Sequence, residues 1–169
     1  MKNTVLQRSP IIAPGLLFLM LALFLLVKLP FLVVADRDNN TVLLFPLVGK
    51  KEFSLYYIHS VQKTPVQENF LLDQEDRLLL TSTEYESLGV GTPFLPDEGK
   101  LINQQGKYIL SGLNRHFEEV DLGASPIAGQ AIIYKNKKYI LNDYFAPNEM
   151  VRIRVIRCST ALILWQKII

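Results

Sequence analysis

The sequence predicts a mainly β protein, an antiparallel β-sandwich or partly open barrel preceded by one N-terminal transmembrane helix. Three observations carry that expectation. A single long apolar run sits near the N-terminus, many short strand-like segments follow it, and no later segment keeps a 3.6-residue hydrophobic period.

Between Arg8 and Lys28 no residue is charged, and Leu, Ile and Phe dominate. A membrane-spanning helix needs ~20 mostly apolar residues, which this run nearly supplies. Lys28 and Pro30 interrupt it, and Phe31 to Ala35 is apolar again. A secretory signal peptide is the competing reading, with Lys2 and Arg8 as its basic leader and Val33-Val34-Ala35 as a cleavage site. The run exceeds the ~7–15 apolar residues usual for such peptides, which favours a retained anchor over residues 1–35. Lys2 and Arg8 then hold the N-terminus in the cytoplasm, and residues 36–169 form an extracytoplasmic β-domain.

The 169-residue chain is 49% hydrophobic with a net charge of +2, which excludes a disordered chain. With Lys2, Arg8 and Lys28 set aside from the 18 basic residues, the 16 acidic residues outnumber the rest by one. That balance excludes a nucleic-acid binder. Cys158, alone, can close no internal disulfide and reads as a small buried hydrophobe.

Strand patterns fall at residues 42–47, 53–60, 66–72, 78–85, 108–110, 118–122, 131–134, 139–141 and 151–156. Gln104-Gln105-Gly106 and Lys135-Asn136-Lys137 separate neighbouring strands as hairpin turns, because Gly and Asn tolerate positive φ. Val151-Arg152-Ile153-Arg154-Val155 alternates strictly, so its aliphatic residues face a core and its arginines water. The tail 161–165 is too short to span a bilayer and reads as a last core strand, or as Trp165 at a membrane interface.

The chemistry concentrates at 53–68. Phe53, Leu55, Tyr57 and His59 share one strand face, and Val66, Glu68, Phe70 and Leu72 share another. A hairpin turning at Lys63-Thr64 sets His59 opposite Glu68, with Cβ atoms ~5 Å apart. Such a pair is open to three readings: a polar pin for the register, a ligand pocket with Tyr57 and neighbouring tyrosines, or an acid–base or metal-ligating pair. Glu84 and Glu86 share a face and offer further carboxylates. His59 and Ser60 form no nucleophile–base dyad, since adjacent strand residues point to opposite faces. His116, after Asn114-Arg115, reads as a surface residue of a polar turn. Ser87-Leu88-Gly89-Val90-Gly91 lacks the third glycine and the lysine of a phosphate-binding loop, so Gly89 and Gly91 shape a long loop that can line a site. No cofactor is specified, and metal binding stays open.

His59-Ser60, Thr64-Pro65-Val66, Glu68 and Ser87-x-Gly89-x-Gly91, with Gly112-Leu113-Asn114-Arg115 and Gly129 downstream, resemble the family called domain of unknown function 1850. The resemblance marks His59, Ser60, Pro65, Glu68, Gly89 and Gly91 as signature positions. It implies a small, single-pass cell-membrane protein, an accessory of TAXI-type TRAP transporters, with their membrane subunits or solute receptor as partners. It implies no reaction. A ligand or cation near His59 and Glu68, with Tyr57, Ser60, Gly89 and Gly91 beside it, is the expectation. The alternative is an extracytoplasmic enzyme or metal-binding protein using His59 and Glu68.

Overall fold

A computed structural model describes residues 12–49, 51–87 and 99–159. One helix, α1 (Ile12–Leu26), is followed by eleven strands: β1 (Lys28–Ala35), β2 (Thr41–Pro46), β3 (Glu52–Ile58), β4 (Pro65–Leu72), β5 (Leu78–Tyr85), β6 (Lys100–Gln104), β7 (Lys107–Phe117), β8 (Glu119–Gly123), β9 (Ala131–Tyr134), β10 (Lys137–Ile140) and β11 (Met150–Ser159). They form two open sheets, ordered β2-β1-β11-β8 and β10-β9-β3-β4-β5-β7-β6.

Helix α1 is apolar throughout, with Leu17 and Phe18 70% and 74% exposed. Its 15 residues reach about 22 Å at 1.5 Å per residue, short of a ~30 Å hydrocarbon core. No helix among the described residues is long and apolar enough to cross a membrane. The chain leaves the helix before Lys28, two residues ahead of Pro30, whose ring has no place in a helix interior.

The boundary at residue 35 therefore moves. Residues 30–156 form one compact unit, and Phe31 to Ala35 is a strand of it rather than the end of an anchor. Leu32, Val34 and Ala35 are fully buried. Phe31 to Val34 pair with Pro46 to Leu43 of β2 in antiparallel register. A strand buried on both faces reads as an unbroken apolar run, which is why it looked like membrane sequence.

The core lies between the sheets. Leu32, Val34, Phe45, Val151 and Ile153 come from the smaller sheet, and Phe53, Leu55, Phe70, Leu80 and Leu110 from the larger. Val151 and Ile153 are buried as their alternation requires, and Arg152 pairs outside with Asp121 and Glu119. Both expected hairpins form on two-residue turns, Gln105-Gly106 and Lys135-Asn136, each with positive φ at both positions.

One expected turn is a strand. The segment Asn114-Arg115-His116 belongs to the 11-residue β7, where His116 pairs with Leu79 and its Nδ1 lies 2.8 Å from Asp73 Oδ2. Cys158 is half-buried on β11, and burial pushes its thiol up. The tail 161–165 lies outside the described residues.

Candidate functional site

The register of the larger sheet builds its inner wall row by row. Tyr57 on β3 faces Val66 on β4, which faces Tyr85 on β5, which faces Tyr108 on β7. In the next row Leu55, Glu68, Thr83 and Leu110 line up across the same four strands. Below them, Phe53 stacks on Phe70 with ring centroids 5.2 Å apart. Glu68 and Thr83 are thus adjacent polar residues framed by tyrosines on one side and phenylalanines on the other.

Glu68 makes one side-chain hydrogen bond within this wall: the Tyr57 hydroxyl donates to its Oε1 at 3.1 Å. Burial raises the carboxyl above its ordinary value, and the Tyr57 bond and the positive charge of Arg115 only partly offset that. The Tyr57 phenol is pushed up in turn, by its own burial and then by the Glu68 charge. Thr83 is 1% exposed, and its Oγ1 has no hydrogen-bond partner.

A buried hydroxyl without a partner is destabilising. Thr83→Val is therefore expected to stabilise the chain by about 1–2 kcal/mol, the sign opposite to most core changes. Urea denaturation checks this, and a loss of stability would mean that the hydroxyl has a partner in solution.

Thr83 escapes a sequence reading because β5 carries a bulge. Leu80 pairs with Phe70, Ser82 with Asn69, and Thr81 is left over. The Thr81 hydroxyl donates to the Asn69 carbonyl at 3.0 Å. The inward set consequently shifts from Leu78 and Leu80 to Thr83 and Tyr85, out of step with simple alternation.

The hairpin between β3 and β4 does not have the expected register. Ile58 pairs with Pro65 and Leu55 with Glu68. His59 faces Thr64 instead, through an amide-to-carbonyl bond of 2.9 Å. His59 and Glu68 are four strand positions apart, about 13 Å along the hairpin. They form no cross-strand pair and no acid–base dyad. The parity of the expectation survives, so Glu68 faces inward beside Tyr57, as the shared-face argument required.

His59 serves a tight turn. Its carbonyl accepts from the Lys63 amide at 2.9 Å. Its Nδ1 accepts from the amides of Val61 and Gln62 at 3.3 and 3.1 Å. An Nδ1 that accepts twice leaves the ring proton on Nε2. Lys63 takes a left-handed φ of 57° to close the turn. The Ser87 hydroxyl donates to Gln62 Oε1 at 3.2 Å, bringing the start of the expected long loop to this turn. Gly89 and Gly91 lie outside the described residues.

A cleft of about 280 Å³ opens beside the turn, lined by Ile58, His59, Ser60, Lys63, Ser125, Ile127 and Ala128. The Ile58 amide donates to the Ala128 carbonyl at 2.7 Å and clips its two walls together. Of the expected site residues, the fold thus unites Tyr57 with Glu68 on the inner wall, and His59 with Ser60 at the cleft.

Glu84 cannot join Glu68. It lies on the outer face, where its Oε2 accepts from Lys107 at 2.8 Å and its Oε1 from Asn69 at 3.2 Å. Asn69 also bonds Ser54, Gln67 and Ser82, so a polar belt crosses β3, β4, β5 and β7 outside the sheet. Among the described residues no three His, Cys, Asp or Glu side chains are placed to hold a metal ion.

The family described as Domain of unknown function (DUF1850) matches residues 53–141. The chain belongs to this family. The matched span runs from β3 through β10 and carries both the Tyr57–Glu68 pair and the His59 turn. No curated protein and no solved structure matches the chain.

Proposed function

We propose that this DUF1850 protein is a non-enzymatic, membrane-anchored extracytoplasmic accessory module of a TAXI-type TRAP transporter system. Its β-unit recognises a small ligand at the inner-wall carboxyl of Glu68. The observation that carries the binding role is the Glu68 environment: an incompletely covered carboxyl in an apolar wall, bonded to a phenol, beside an unpartnered buried hydroxyl. Such convergence of few polar groups on an apolar surface is what ligand recognition requires. General acid–base chemistry has less support, because His59 sits about 13 Å along the hairpin from Glu68.

Membrane anchoring is supported by α1, the described part of the uncharged run between Arg8 and Lys28, whose exposed Leu and Phe side chains call for an apolar surrounding. The transporter association rests on what the family resemblance implies. Gentle detergent extraction at native expression tests it, with TAXI-type transporter subunits or the solute receptor expected in the eluate of the tagged chain. An eluate free of all of them overturns the association.

A further inference from the structure

We infer that the cleft beside the His59 turn is a second binding site, separate from Glu68, and that it takes a small oxyanion carrying a short apolar substituent. The cleft has a volume of about 280 Å³, near the lower end of ligand-site volumes. Its polar lining consists of donors with no opposing carboxylate: His59, Ser60, Lys63 and Ser125. Among the described residues no ion pair engages Lys63 and no side-chain hydrogen bond engages Ser60.

The imidazole adds direction. Because Nδ1 is spent on two backbone amides, His59 can offer the outside only the N–H at Nε2. The turn therefore presents the Nε2 N–H as an outward donor, next to an ammonium and a hydroxyl. An oxyanion accepts from all three, and charge-assisted bonds from Lys63 are the strongest of them. A cation finds no counter-charge there.

The opposite wall is apolar. Ile127 and Ala128 line it, and Ile127 is 79% exposed, a large aliphatic side chain held at the rim without cover. That wall suits an aliphatic group attached to the anionic head. It is also rigid, because the Ile58–Ala128 bond joins it to β3 and the Gly129 amide donates to the Ser125 carbonyl at 3.0 Å. A site already shaped loses little freedom when it is filled.

The test is an NMR titration of the detergent-solubilised full chain with three probes: isobutyrate, inorganic phosphate and trimethylammonium. Isobutyrate is expected to saturate and to shift the amides of Val61, Gln62 and Ala128, with phosphate weaker and trimethylammonium inert. Lys63→Gln, whose exposed side chain takes part in no described hydrogen bond, is expected to weaken isobutyrate binding at least tenfold while leaving the spectrum folded. Glu68→Gln leaves it unchanged if the two sites are separate. Shifts that fail to saturate, shifts equal for the three probes, or binding undiminished by Lys63→Gln each overturn the assignment. Phosphate binding as tightly as isobutyrate overturns the role of the Ile127 wall. Isobutyrate binding abolished by Glu68→Gln overturns the separation from the inner wall.

Discussion

Leu32→Ala is expected to lower the free energy of unfolding by about 3 kcal/mol, a large share of the stability of a domain this size. Leu32 is 0% exposed in the core between the sheets, on a strand between β2 and β11. Removing its side chain loses transfer free energy and leaves a cavity that neighbours on both sheets cannot readily fill. Val42→Ala on β2, where the side chain is 39% exposed, is the control and should change stability by about 0.5 kcal/mol or less. A chain started at Asp36 should fail to fold, whereas one started at Leu29 keeps all six buried residues of β1 and should unfold cooperatively. Equal urea midpoints for Leu32→Ala and Val42→Ala would mean that residues 30–35 belong to the apolar segment before them and not to the β-unit.

Glu68→Gln is expected to change the pH dependence of stability more than any other single carboxyl substitution on the inner wall. The folded-state value of Glu68 is raised, so the folded chain holds this proton more tightly than the unfolded chain. Stability attributable to the group is therefore highest below the ordinary glutamate value of 4.5 and falls as pH rises through the raised value. Glutamine cannot ionise, so the variant should match the parent in acid and exceed it at pH 8. Asp73 works in the opposite direction. Burial acts to raise it, but hydrogen bonds from the Arg77 amide, His116, the Arg77 side chain and the Glu75 amide hold it well below the ordinary carboxylate range. Its contribution is present above about 3.8 and is lost as pH falls below that. The two windows do not overlap, so thermal melts across pH 3 to 8 separate them. A Glu68→Gln melt that tracks the parent at pH 8 would mean that the carboxyl is well solvated.

The strands and their turns were largely legible, because local chemistry decided them. Gln105-Gly106 and Lys135-Asn136 carry residues that accept positive φ, and β5 spans the residues 78–85 that its strand pattern marks. What escaped depended on the rest of the fold. Phe31 to Ala35 was indistinguishable from membrane sequence, since burial on both faces erases the period of two. Asn114 to His116 looked like a turn because its polar residues find partners that sequence cannot show, His116 reaching Asp73 forty-three residues away. The candidate site was legible by face and not by register. Tyr57 and Glu68 share a wall as their spacing demands, but His59 stops being a strand residue once its own ring nitrogen closes the turn. Thr83 was hidden by the extra residue at Thr81, and the cleft by the meeting of two turns more than sixty residues apart.

The position of β1 carries a consequence for biogenesis. The strand ends at Ala35, yet its neighbour in the sheet, β11, starts only at Met150 and is made long after it. Contacts of such long sequence separation form slowly. During synthesis, the apolar edge of β1 facing β11 has no mate until β11 itself has emerged. Nascent chains at this stage are the ones most exposed to aggregation, and a holding chaperone would find its natural target in Leu32, Val33 and Val34.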